Sequence, residues 1–193
     1  MNNNSVTTVL FVGVGGQGII MASDLLSRVM LRAGRDVKKS EVHGMAQRGG
    51  CVSSHVRYGG RVYSPLAGKG GVDILVSFET METLRYLDYL KKGGSAIVND
   101  EELFPPAVNL GDEAYPADVP ALLKKTLSAV KILKATDMAL QAGDRRMANT
   151  VMLGALSSFT DVNEHLWKDV LRASFPERLV EKNLTAFNMG RTY

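Results

Sequence analysis

The sequence predicts an α/β fold, a wound and largely parallel sheet with a helical cap at its C-terminal end. Three observations carry this. Short β-branched and aromatic runs alternate with helical patterns along most of the chain. The stretch Gly13-Val14-Gly15-Gly16-Gln17-Gly18 stands directly between the first such run and the first helical pattern. From Arg145 onward the strand signal is lost and only helical spacing remains.

Thr7 to Val12 has the composition of a central strand buried on both faces. Ile19, Ala22, Leu26, Val29 and Ala33 then recur at helical spacing across Gln17 to Ala33, and Gly34 ends that helix. Strand, glycine turn and helix in this order are Rossmann-like. Asp36 to Val42 reads as the second strand and Cys51 to Tyr58 as the third. Gly59-Gly60 followed by Arg61 to Ser64 is expected to close a hairpin through a two-residue turn. Val72 to Phe78 is another buried strand. A helix from about Glu79 to Tyr89 should stop at Gly93-Gly94, with strand resuming at Ser95 to Val98.

Asn99 to Pro120 holds four of the six prolines (Pro105, Pro106, Pro116 and Pro120) and reads as a surface excursion. A short helix at Ala121 to Leu127 and a strand at Val130 to Lys134 follow. Arg145 to Phe159 is apolar on most faces, and Gly154, Ala155, Ser157 and Ser158 permit close backbone approach. Asp161 with Glu164, and Ser174 with Glu177, have capping-box spacing before two further helical runs. No repeat or low-complexity segment interrupts the chain, so residues 1–193 are expected to form one domain.

Composition narrows the functional classes. With 45% hydrophobic and 22% charged residues the chain reads as an ordinary soluble protein. A net charge of +3, with no run of Lys and Arg interleaved with aromatics, gives no nucleic-acid signature. No apolar run approaches the ~20 residues of a membrane span, and Ser5 to Val14 lacks the length and basic flank of a secretory leader. A cytoplasmic location is expected. Cys51 is the only cysteine, which excludes an internal disulfide and an iron–sulfur cluster held by this chain alone. His43, His55 and His165 lie on separate segments without the spacing of a helical zinc pair, so no metal site is expected.

The glycine turn is where a ligand could bind. Glycines allow positive φ and close approach to bare backbone, and the helix start offers unpaired N–H groups and partial positive charge to an anion. The alternative is tight packing of helix on strand with no ligand. A nicotinamide enzyme would need an acid ending the second strand, about 20 residues beyond the turn. Asp36 precedes that strand, and Glu41 runs straight into a second unusual segment, Ser40-Glu41-Val42-His43-Gly44-Met45-Ala46-Gln47-Arg48-Gly49-Gly50. That segment should lie at the carboxyl edge of the sheet, where open α/β sheets hold ligands. Arg48 could grip a carboxylate or phosphate in two-pronged fashion, and His43 could donate or carry a proton; a turn with Arg48 paired to Glu41 is the plainer reading.

Elsewhere the structural readings lead. His55 reads as a sheet histidine, Cys51 as a small buried hydrophobe and Tyr63-Ser64-Pro65 as a strand exit. Glu79 suits either the ligand edge or a helix first turn, Asn149 a buried hydrogen bond to backbone, and His165 a helix surface. No G-x-S-x-G elbow, Walker lysine or Ser–His–Asp order is present.

Taken together, GVGGQG, SEVHGMAQRGG, VYSPL, DILVSFE and NTVMLGAL, in that order, resemble the gamma-type domain of the 2-oxoacid:ferredoxin oxidoreductase family. The HGMAQRGG version is most similar to the small (beta) subunit type of the family's indolepyruvate branch. The resemblance covers nearly the whole chain, with Asn99 to Leu127 outside any motif. It implies one subunit of an enzyme that turns an aryl 2-oxoacid, coenzyme A and oxidised ferredoxin into acyl-CoA, carbon dioxide and reduced ferredoxin. It implies a large alpha subunit as partner, carrying thiamine diphosphate, Mg and iron–sulfur clusters, with ferredoxin reached through the complex and no cofactor held by this chain alone. Coenzyme A enters as co-substrate. By the same resemblance, Glu41, His43 and Arg48 complete the partner's catalytic pocket. Gly13, Gly15, Gly16, Gln17 and Gly18, with Gln47, Gly49 and Gly50, contact the cofactor. Two other classes remain open, a stand-alone nucleotide-binding oxidoreductase and an anion-sensing regulatory module.

Overall fold

The structure, a computed structural model, describes residues 5–44, 50–104, 106–111 and 114–193, with side chains at all of these except His43, Pro106 and Ala107. Six strands form one sheet in the order β2-β3-β1-β4-β5-β6. They are β1 (Val6–Val14), β2 (Asp36–His43), β3 (Cys51–Gly59), β4 (Val72–Ser77), β5 (Leu90–Asn99) and β6 (Val130–Leu133). β1 pairs parallel with β4, β4 with β5 and β5 with β6, while β3 runs antiparallel between β1 and β2. The expected wound, largely parallel sheet is present, with β3 as its one reversed strand.

Both faces of the sheet are covered, which is why the central strands are continuous apolar runs rather than alternating ones. Val9 and Phe11 of β1, Ile74 and Val76 of β4 and Ile97 of β5 point into the larger core. Over them lie α1 (Ile19–Arg32) and the C-terminal helices α5 (Ala135–Ala142), α6 (Ala148–Ser157), α7 (Glu164–Ser174) and α8 (Glu177–Thr192). The intervening residues Leu10, Val12, Leu75, Ala96 and Val98 point the other way, beneath α2 (Thr80–Tyr86) and α4 (Val119–Thr126). A four-residue α3 (Pro106–Asn109) lies between α2 and α4 in the chain. Every residue of α6 is buried, as befits a helix apolar on nearly all sides. Among the described residues no helix is long and apolar enough to cross a membrane.

The structure corrects several sequence expectations. The hairpin joins β2 to β3, and Arg61 to Ser64 form no strand. Gly59 is paired on both sides, to Val6 and to Asp36, so β3 has no free edge for a third partner. Neither Gly59 nor Gly60 has the positive φ that a tight hairpin turn requires. Gly59 is glycine because a Cβ there would strike the Ser5 carbonyl oxygen. Past it, the chain is caught by Asp36, whose carboxylate accepts the Val62 N–H at 2.7 Å.

The second helix gives way to a 3-10 turn at Leu87–Tyr89, and β5 begins at once at Leu90. Gly93 (φ +78°) and Gly94 sit inside β5 where the ladder to β4 slips between Val72 and Ile74, so they accommodate an irregular strand rather than ending a helix. α5 is an element the sequence reading lacks. The capping boxes also differ. Asn163 caps α7 by accepting the His165 N–H at 2.8 Å, while Asp161 is drawn to Arg35 at 2.7 Å; α8 follows its N-cap Pro176 with no side-chain cap.

His55 is buried on β3, with Nδ1 accepting the Ala67 N–H at 3.3 Å. Burial, with Arg57 nearby, pushes its pKa below the usual imidazole value. A depressed pKa favours the neutral ring in the fold, so this stability is present above about pH 6.5 and is lost as pH falls through the folded pKa. Thermal unfolding followed between pH 7.5 and 5 should therefore show a decline that is shallower in His55→Gln. Equal slopes in the two proteins would remove His55 as a cause.

Candidate functional site

The site grows from the end of β1. Its last residues lead into the glycine turn, where Gly16 (φ +105°) and Gly18 (φ +80°) adopt left-handed backbone that L side chains rarely take. Gly18 is the N-cap of α1, and among the described residues no side chain bonds to that cap and no acid lies in the first turn. The helix start is left open to an anion. Gln17 folds back beneath the turn. Its Oε1 accepts the Val14 N–H at 2.8 Å and its Nε2 donates to the Phe78 carbonyl at 2.9 Å. A Cβ on Gly13 would stand 2.7 Å from Gln17 Oε1 and 2.9 Å from Phe78 Cβ, so Gly13 makes room for this brace.

A cleft of about 290 Å³ opens beside the turn, at the carboxyl edge of β1, β4 and β5. Gly15, Gly16 and Gln17 form one wall, and Arg145, Arg146 and Ala148 form another at the entry to α6. Glu101, just past β5, ties the floor together. Its Oε2 accepts from Thr136 Oγ1 at 2.8 Å, Asn99 Nδ2 at 2.9 Å and Gln17 Nε2 at 3.3 Å, while Oε1 holds Arg145 at 2.7 Å. One carboxylate thereby joins the glycine turn, the end of β5, the start of α5 and the segment entering α6. Asn99 also accepts the Ala135 N–H at 2.9 Å, fixing α5 against the strand end. Arg145 and Arg146 have side chains 63% and 85% exposed. Arg146 pairs with Asp144, and that contact holds the Asp144 carboxyl down at about 2.

The second glycine segment meets the first. The Gly15 N–H donates to the Gly50 carbonyl at 2.9 Å, and Gly44 N–H to the Cys51 carbonyl at 2.9 Å closes the base of the β2–β3 loop. Glu41 is ion-paired to Lys39 on its own strand, and Lys39 also reaches Asp24 of α1. His43 ends β2. Its side chain, and Gln47, Arg48 and Gly49 altogether, lie outside the described residues. Of the sequence-predicted set, the structure joins Gly13, Gly15, Gly16, Gln17, Gly18 and Gly50. It shows Glu41 engaged farther back along β2.

Other singled-out residues have structural partners. Glu79 is fully buried and caps α2, accepting the Glu82 N–H at 2.7 Å, the Leu103 N–H at 3.3 Å and the Tyr115 hydroxyl. The Cys51 thiol lies 3.3 Å from the Tyr86 hydroxyl, and burial together with nearby Glu82 pushes it up to about 11. A thiol so raised is a poor nucleophile and a poor metal ligand at neutral pH. The donor set does not fit an iron–sulfur cluster, which needs about four thiolates. Among the described residues no group of three or more His, Cys, Asp or Glu could hold a metal ion.

Sequence reasoning missed Asn99, Glu101, Thr136, Arg145 and Arg146 as cleft residues. Asn99 could have been found, since it follows a recognised strand at the edge where ligands bind. Thr136 could not, because the short α5 that carries it was unseen. The cleft contains no cysteine, histidine or serine among its described walls. Its chemistry is binding: backbone N–H groups, two guanidinium groups and an acidic floor.

Relatives agree with this fold and length. The chain is 38% identical to indolepyruvate oxidoreductase subunit IorB of Pyrococcus horikoshii, over 94% of this chain and 93% of that protein. It superposes with a TM-score of 0.70 and 25% identity on a keto/oxoacid ferredoxin oxidoreductase gamma subunit from Geobacter sulfurreducens, covering 96% of each. It also matches the fold of part of 2-oxoglutarate:ferredoxin oxidoreductase from Magnetococcus marinus, with a TM-score of 0.75 and 23% identity over 98% of this chain and 31% of that one. A strand–glycine turn–helix edge, relatives of matching length and a family model spanning residues 8–193 agree: the chain belongs to the pyruvate ferredoxin/flavodoxin oxidoreductase family.

Proposed function

We propose that this chain is the small subunit of an indolepyruvate-type 2-oxoacid:ferredoxin oxidoreductase, and that its cleft completes an active site centred on a large partner subunit. The observation that carries this reading is a built anion-binding edge whose described walls hold no Cys, His or Ser, with its one carboxylate, Glu101, bound to Thr136, Asn99, Gln17 and Arg145. The full-length likeness to the Pyrococcus subunit supplies the aryl 2-oxoacid as substrate class. Thiamine diphosphate, Mg and the iron–sulfur clusters would be held by the large alpha subunit, where they would supply the decarboxylation and electron-transfer chemistry that ends on ferredoxin in the cytoplasm.

This chain's residues would bind and orient the acyl acceptor. The coenzyme A diphosphate docks at the Gly15 to Gly18 turn, on the N–H groups there and at the start of α1 that are not already given to Gly50 and Val14, with Arg145 and Arg146 at the opposite wall. Gln17 braces the turn from below and Gly50 holds it from the side. Glu41 and His43 of β2, with Gln47, Arg48 and Gly49 that follow in the sequence, complete the pocket, Arg48 anchoring an anionic group. The Magnetococcus relative of this fold was solved with 2-oxoglutarate, coenzyme A and succinyl-CoA bound, which supports a thioester-forming site.

Co-expression with the large partner tests the assignment. The two chains should purify together with all the iron on the partner, and this chain alone should reduce no dye with indolepyruvate and coenzyme A. A lone chain that binds NAD tightly or is yellow would replace this reading with a self-contained oxidoreductase.

A further inference from the structure

Behind the glycine turn a line of polar side chains crosses an otherwise apolar interior. Asn149 and Thr150 of α6 and Asn183 of α8 are 4%, 0% and 3% exposed. The Thr150 hydroxyl lies 2.8 Å from Asn183 Oδ1 and 3.3 Å from Asn149 Oδ1, and Asn183 Nδ2 donates to the Leu179 carbonyl at 2.9 Å. With Oδ1 turned to Thr150, the Asn149 amide nitrogen faces the bare Cα of Gly18. A Cβ on Gly18 would stand only 2.7 Å from it. Apolar side chains would fill this space without the desolvation that three buried polar groups require, so the polar line specifies a geometry rather than adding bulk stability.

We propose that Asn149 is a positioning residue for the cleft: it holds the Gly18 N-cap in its left-handed conformation and so aims the first N–H groups of α1 at the ligand. Thr150, whose single hydroxyl proton goes to Asn183 Oδ1, is locked beside Asn149 and confines it by packing. Gly18 is then glycine for two reasons, its φ of +80° and the amide against its Cα. The same helix entry carries Arg145, Arg146 and Ala148, so α6 sets the arginine wall and the opposite N-cap as one unit. The inference rests on the reading that coenzyme A docks on the turn.

The test uses the assembled enzyme carrying Asn149→Leu, which keeps the branched shape but removes the amide, and Thr150→Val, which removes the bond to Asn183 while leaving Asn149 in place. Both should raise the KM for coenzyme A fivefold or more. The kcat at saturating coenzyme A and the KM for the 2-oxoacid should stay within twofold. A merely structural role would lower the unfolding temperature without separating KM from kcat. Gly16→Asp is measured in parallel. If it raises the KM for coenzyme A while the Asn149 and Thr150 variants do not, the positioning role is overturned and the docking reading stands. If none of the three changes that KM, both are overturned. Should Asn149→Leu fail to assemble, Thr150→Val reads the same split.

Discussion

Gly190→Ala lowers the unfolding temperature of this chain by roughly 6–12 °C, corresponding to about 3 kcal/mol for a chain of this size. Propensity alone predicts the opposite sign, because alanine in a helix interior is favoured over glycine by about 1 kcal/mol. The crossing of α6 and α8 decides it. A Cβ at Gly190 would collide with the Val151 carbonyl oxygen, and one at Gly154 with the Phe187 carbonyl oxygen. Both obstacles are backbone, so neither can swing aside as a side chain could. The helices would have to separate, opening gaps in a core that includes Val151, Leu153, Ala155, Ala186 and Phe187. Asn188→Ala, on the exposed side of α8, is the control and should leave the midpoint within about 2 °C, consistent with surface effects of a few tenths of a kcal/mol. Thermal unfolding by circular dichroism separates the two. A Gly190→Ala chain as stable as the parent would mean that the helices do not cross this closely.

Gly16→Asp raises the KM for coenzyme A tenfold or more in the assembled enzyme and leaves the KM for the 2-oxoacid within twofold. Gly16 lines the cleft, and a Cβ there would meet nothing within 4 Å, so the new carboxylate fits without a clash. It would stand where the diphosphate is proposed to bind and would claim the same N–H groups. Tenfold is about 1.4 kcal/mol, well within what one misplaced charge supplies in a partly enclosed site. Because Gly16 has φ +105°, any side chain also strains the backbone. Gly16→Ala carries that strain without the charge, and the difference between the two variants isolates the anion. Equal effects of Ala and Asp would assign the loss to the backbone alone.

The parts of this fold legible in the sequence are those written locally. β1, the glycine turn and α1 follow one another without interruption, so composition and helical spacing suffice, and α1 ends at Gly34 as its pattern requires. The small residue Gly154, noted for close approach, does lie at a helix crossing. What was hidden depends on pairing between distant segments. Nothing near Gly59 reveals that β3 will be enclosed by β1 and β2, and a Gly-Gly pair by itself suggests a turn. Glu101 becomes the centre of the cleft floor only when Gln17, Asn99, Thr136 and Arg145 arrive from four other places. The two glycine segments were each recognisable; that they touch, through Gly15 and Gly50, is a fact of the antiparallel pairing of β3 beside β1.

The central claim is that this chain is catalytically incomplete and completes a partner's site. It is tested most directly by titrating the purified large subunit with this chain and following coenzyme A-dependent dye reduction with indolepyruvate. The account predicts little or no activity from either chain alone, with turnover rising to a plateau as the two reach stoichiometric amounts. Full coenzyme A-dependent turnover by the large subunit alone, or turnover by this chain without it, would contradict the account.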